Sequence, residues 1–140
     1  MNDRYLYRAK RIDNGEWVQG ALFNGESHCI IGQEIKFSPY TEHECKIVGY
    51  EVDRDTICQC TGLKDKNGKL IWENDVVAYW DTYSTESGYA EADCIGKVVW
   101  DDETISFQVT SRLSAESYEV LDDECSVVGN AIDNQELLEV

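Results

Sequence analysis

Thiols, imidazoles and carboxylates are the groups in this chain best suited to chemistry, and zinc binding is the first use to weigh. His28-Cys29, His43, Cys45 and the Cys58-x-Cys60 pair all lie in the first half. Zinc accepts both ligand types in tetrahedral sites. The spacing argues against a site: there is no C-x2-C pair, and C-x-C on a strand sends two thiols to one face with a wide bite. The six cysteines, Cys29, Cys45, Cys58, Cys60, Cys94 and Cys125, are therefore read as small buried hydrophobes, with the histidines exposed and no metal bound. Their even number would suit a disulfide framework only in an oxidising compartment.

Carboxylates are so abundant that pairing among them carries little information. The 140 residues hold 28 Asp and Glu against 12 Lys and Arg, for a net charge of −16. Asp101-Asp102-Glu103 and Asp122-Asp123-Glu124 could hold a hard cation weakly, but neither follows the spaced oxygen pattern of a calcium loop. They read as solvated turns. No acid pair stands out as the two carboxylates of glycoside hydrolysis. A G-x-S-x-G elbow and a phosphate-cradling glycine loop are both missing from the sequence. Arg4-Tyr5-Leu6-Tyr7-Arg8 interleaves cations with aromatics in a way that suits stacking on single-stranded nucleic acid. The overall negative charge repels such a polyanion, so no direct nucleic-acid binding is expected. No catalytic residue and no cofactor is assigned, and the chain is not expected to be an enzyme.

The charge is unevenly placed. Residues 1–72 carry 11 acidic and 10 basic side chains, net −1, whereas residues 73–140 carry 17 and 2, net −15. Arg4, Arg8, Lys10 and Arg11 make the first eleven residues locally basic. An acidic half favours basic partner surfaces. One candidate is the basic N-terminal hairpin of a second copy, which makes those four cations the expected self-association residues and the protein an expected homo-oligomer. A basic host protein is another. No apolar run is long enough to span a membrane, and no apolar signal core opens the chain. The expected location is the cytoplasm.

The elements that would position these groups are short strands split by turns every 8–12 residues, the pattern of a mainly β fold. Residues 4–11 and 16–23 form a hairpin about Asp13-Asn14-Gly15, with Trp17, Ala21 and Phe23 on one face and Val18 and Leu22 on the other. Cys29-Ile30-Ile31 is a short strand stopped by Gly32, and residues 33–43 read as a loop around Pro39, with a short edge strand at 34–37 as the alternative. Residues 44–52 are a strand ended by Asp53-Arg54-Asp55. After Val76-Val77-Ala78-Tyr79-Trp80, residues 81–92 lack an apolar period and read as a mobile loop. Strands return at residues 94–100, at Ile105, Phe107 and Val109 by alternation, and at Ser126-Val127-Val128. Asp133 would cap a short C-terminal helix through Leu138. Five strands after residue 69 suffice for a small SH3- or OB-like barrel. The chain is read as one domain over residues 1–140, with lobes at residues 1–60 and 61–140.

The most distinctive stretch is Thr61 to Val77, TGLKDKNGKLIWENDVV. Asp65-Lys66-Asn67-Gly68 is a strong turn, because Asn and Gly tolerate positive φ. The run resembles the signature of the YopX family, small proteins carried by bacteriophages and prophages. There, a TGL-Lys-Asp-Lys-Asn-Gly-Lys run leads into Ile-aromatic-Glu-Gly-Asp-hydrophobic-Val. Asn74 stands where the family has Gly, and Asn also accepts positive φ. The opening Tyr7-Arg8-Ala9-Lys10 with Asn14-Gly15-Glu16-Trp17-Val18-Gln19-Gly20 resembles the family's first hairpin. The stretch from Val128 to Leu138 resembles its tail, with Gln135 in place of Pro. The resemblance implies a phage or prophage origin and no particular reaction. At Trp72, Glu73, Asn74 and Asp75 two readings compete. The corner could be an interaction surface, or Asp75 could hold the turn backbone; the second is preferred. The function expected is contact with other proteins and with copies of itself. The alternative is an acidic mimic of DNA that occupies a host nucleic-acid-binding protein.

Overall fold

A computed structural model describes residues 3–36, 45–111, 117–119 and 124–138. The protein is mainly β, with antiparallel strands throughout. It divides into two compact units, Met1–Cys60 and Thr61–Val140.

In the first unit β1 (Tyr7–Lys10), β2 (Trp17–Asn24), β3 (Cys29–Lys36), β4 (Cys45–Glu51) and the start of β5 (Cys58–Lys64) hydrogen-bond in the order β4-β3-β2-β1-β5. The expected strand at residues 4–11 is shorter, because Asp3–Tyr5 is a 3-10 turn. The β1–β2 turn closes as expected, with Gly15 at φ 72 and its N–H donating to the Arg11 carbonyl at 2.9 Å. β3 does not stop at Gly32. It runs on to Lys36, and a close approach explains Gly20 on the neighbouring strand: a Cβ there would lie 2.2 Å from the Gly32 carbonyl oxygen. Asp53 caps the 3-10 turn Arg54–Thr56, accepting from the Asp55 N–H at 3.0 Å. Ala9, Cys29, Ile31 and Val52 form the core, flanked by Tyr7, Val18, Leu22 and Ile57. Full burial of Ile31 and Val52 contributes about 1.5–3 kcal/mol each.

In the second unit the end of β5 lies beside β6 (Leu70–Trp72). A separate sheet of β7 (Asp75–Thr85), β8 (Gly88–Asp101), β9 (Ser106–Ser111), β10 (Ser117–Glu119) and β11 (Ser126–Asn130) runs in the order β10-β9-β8-β7-β11. The expected barrel is not found. The sheet is open, and among the described residues no pairing joins β10 to β11. The expected mobile loop at residues 81–92 is also corrected. β7 and β8 continue through it in register from Val76↔Lys97 to Thr85↔Gly88, turning at Glu86-Ser87 with Gly88 at φ 128. Backbone pairing with a long partner strand supplies what side-chain periodicity did not signal. Phe107 and Val109 sit on β9, but Ile105 lies in the preceding turn, exposed, at φ 54. The C-terminal helix is a single 3-10 turn, Gln135–Leu138, one residue past the expected Asp133-Asn134 start. Ile71, Val77, Tyr79, Cys94, Val98, Val109 and Cys125 make the core.

Candidate functional site

The Thr61–Val77 stretch shows what its residue types are for. Thr61 lies at a buried point of β5, where its Oγ donates to the Ile71 carbonyl at 2.7 Å and accepts from the Leu63 N–H at 3.1 Å. Gly62 and Gly68 take φ 82 and 81, the left-handed region that glycine occupies without a Cβ clash. Between them Asp65 is buried. Its Oδ1 accepts from the N–H groups of Asn67 and Lys69, both at 2.9 Å. Its Oδ2 accepts from Val127 N–H at 2.9 Å, so one carboxylate ties its own turn to β11. Burial would raise the Asp65 carboxyl, but the bonds from Val127, Lys69 and Asn67, with the charge of Lys69, outweigh it and hold it below the ordinary 3.8.

The corner Trp72-Glu73-Asn74-Asp75 follows the same logic. Asp75 is almost fully buried, and its Oδ2 accepts from the Trp72 N–H at 2.8 Å. Asn74 takes φ 70, its N–H donates to the Val98 carbonyl at 2.8 Å, and its carbonyl accepts from Ala131 N–H at 2.7 Å. The corner therefore meets the tail that shares the resemblance. There Asn130 Oδ1 accepts from the N–H groups of Ile132 at 3.0 Å and Asp133 at 2.8 Å. A Cβ at Gly129 would lie 2.7 Å from Asn134 Oδ1 and 2.8 Å from Leu137 Cδ1, so those side chains would have to shift. Trp72 is buried and Glu73 half-buried.

The four N-terminal cations are not one cluster. Arg8 and Lys10 alternate onto one side of β1 and flank Trp17, with Arg8 Cζ 5.0 Å and Lys10 Nζ 5.5 Å from the indole centroid. Arg11 points the other way, 4.5 Å over the Tyr50 ring. It also binds Asp13 through Nε at 2.9 Å and through Nη2. That side-chain hydrogen bond raises the Arg11 pKa and lowers that of Asp13. Arg4 sits in the first 3-10 turn, 5.7 Å over Tyr5.

Cys58 and Cys60 are wholly buried, Cys29 is buried with Sγ 3.2 Å from Asn24 Oδ1, and Cys45 is exposed. His28 Nδ1 lies 2.8 Å from Glu51 Oε1, and both side chains are exposed. No three His, Cys, Asp or Glu side chains gather at metal-holding geometry among the described residues. His43, Pro39, Arg112, Asp122 and Asp123 lie outside those residues. In the other acidic run, Asp102 Oδ1 accepts from Trp100 Nε1 at 2.9 Å and Asp101 Oδ1 from the Glu103 N–H at 3.0 Å. An open cavity of about 460 Å³ in the first unit is lined by Lys10, Arg11, His28, Glu51 and Arg54 among others. Arg54 already donates to the Gly25 carbonyl at 2.6 Å and the Glu26 carbonyl at 3.1 Å. No helix among the described residues is long and apolar enough to cross a membrane.

Fold and site define a class: a two-unit antiparallel β protein whose motif side chains Thr61, Asp65 and Asp75 hold backbone. The chain belongs to the YopX protein family, whose profile matches residues 6–139. It is similar to a solved structure, the crystal structure of protein EF1440 from Enterococcus faecalis. The two are 26% identical with a TM-score of 0.54, over 95% of this chain and 96% of that one. No curated protein matches the chain.

Proposed function

We propose that this chain is a phage- or prophage-borne accessory protein of the bacterial cytoplasm that acts without catalysis, by binding other proteins and copies of itself. One observation carries this reading: both units leave large apolar side chains outside their cores, on a chain whose halves differ sharply in charge. Phe23 and Ile47 are exposed in the first unit, Trp80 and Ile95 in the second. Scattered apolar residues are ordinary on a surface, but here they share sheet faces, which is the arrangement of contact surfaces. Within a chain of net −16, the local cations Arg4, Arg8, Lys10 and Arg11 offer the acidic residues 73–140 of a second copy a short-range attraction. Light scattering at low and high salt tests it. Assembly that weakens with salt is expected, and a strict monomer at micromolar concentration in both conditions removes it.

The density of carboxylates in residues 73–140, 17 against 2 cations, supports a second reading as a DNA mimic. Pulldown from a bacterial host lysate should then return basic nucleic-acid-binding proteins, and a charge-neutralised variant should lose them. Retention of the same proteins by that variant speaks against mimicry.

A further inference from the structure

We infer that one side of the first unit's sheet docks the β8–β9 turn of a second copy of this chain. The inference rests on the self-association reading above and assigns it a surface. Strand register defines that side. Phe23 pairs with Ile30, Gly32 with Gly49 and Glu34 with Ile47, so Phe23, Ile30 and Ile47 project together while Leu22 and Ile31 project to the core. The Gly32–Gly49 pair between them has no side chains, and the Ile30 and Ile47 methyls lie over it, 2.9 Å from where a Gly49 Cβ and 3.8 Å from where a Gly32 Cβ would sit. Phe23 is 63% exposed and Ile47 79%. At the β1 end of the same side Arg8 and Lys10 flank Trp17. Glu34 and Glu51 lie toward the β3–β4 edge, so the positive charge belongs to the β1 end.

Charge complementarity names the occupant. A partner for this side must offer acid toward Arg8 and Lys10 and an apolar tip toward Phe23 and Ile47. The β8–β9 turn has both: Asp101, Asp102 and Glu103 precede Ile105, which is 74% exposed. It belongs to the half that carries 17 acidic and 2 basic side chains. The contact joins two different surfaces. It builds a two-fold dimer where each copy docks the other's turn, and a ring or an open chain where it does not.

Ile105 also separates contact from folding. A β-branched residue at φ 54 is strained, and Asn fits that conformation better. Ile105→Asn should therefore keep or raise the unfolding midpoint while weakening assembly about tenfold or more. Phe23→Glu with Ile47→Glu should weaken it as much from the other surface. Sedimentation velocity at micromolar concentration reads both. The decisive sample is their equal mixture. One variant keeps an intact turn and the other an intact sheet side, so a 1:1 dimer forms although neither assembles alone. Should the double variant lose its strand signature by circular dichroism, Ile47→Ser at the same exposed position replaces it. Assembly of the Ile105→Asn variant at wild-type strength, or a mixture that stays monomeric, overturns this contact and leaves self-association standing. A monomeric wild type overturns self-association itself, and this contact with it.

Discussion

The Thr61–Val77 stretch and the outward side of the β2–β3–β4 sheet make opposite use of their side chains. In the first, Thr61, Asp65 and Asp75 are buried and aim their oxygens at backbone groups. In the second, Phe23 and Ile47 turn their apolar side chains to solvent. The residues that carry the family resemblance are those a turn cannot replace. The residues proposed for contact carry no motif. A specific sequence signature thus marks where the backbone is hardest to hold, and it need not mark where the protein acts.

The sharpest way to break that contrast is Asp65→Ala. It leaves the N–H groups of Asn67, Lys69 and Val127 without their carboxylate, and about 3 kcal/mol or more of stability should be lost in chemical denaturation. A change below about 0.5 kcal/mol would make this carboxylate no more structural than a surface acid. Gly20→Ala comes next. Its Cβ meets a backbone oxygen, Gly32 O, that no rotamer can move, and about 2–3 kcal/mol should be lost.

A pH series sharpens the contrast further. The folded Asp65 pKa lies below its unfolded value. Its contribution is therefore full above the ordinary 3.8 and is lost as pH falls through the lower folded value. The stability gap between the wild type and Asp65→Asn should be constant near neutrality and shrink in acid. A gap that widened in acid would reverse the sign argued here. Asn74→Ala places a Cβ-bearing residue without a local hydrogen-bonding side chain at φ 70, which should cost about 1 kcal/mol. Asn74→Gly, the family's own residue, should be near neutral by the same assay. The smallest effects belong to the sheet side: Phe23→Ser and Ile47→Ser should each shift stability by about 0.5 kcal/mol or less, and anything near a core truncation would show those side chains to be packed.

Much of the fold was legible along the chain. The alternation of Trp17, Ala21 and Phe23 against Val18 and Leu22 gives the two faces of β2 correctly, because a strand's period of two is local. Asn14-Gly15 and Asn67-Gly68 mark their turns for the same reason. Residues 81–92 misled the reading, since their pairing lies in the β7–β8 register and not in an apolar pattern. Ile105 fits the alternation of Phe107 and Val109 but belongs to a turn. Periodicity alone has no way to place the end of a strand. The four N-terminal cations look like one group in sequence, yet strand alternation puts Arg8 and Lys10 on one side and Arg11 on the other.

By itself, the order of residues determined the β class, the turns at Gly15, Gly68 and Asn74, and the charge split, because each depends only on near neighbours or on a count. Tertiary structure decided that Asp65 reaches Val127, that Asn74 meets Ala131, and that the second sheet stays open among its described strands. Those outcomes join residues some sixty positions apart. Nothing local records which distant N–H a buried carboxylate will find, because that bond exists only once the intervening strands have paired.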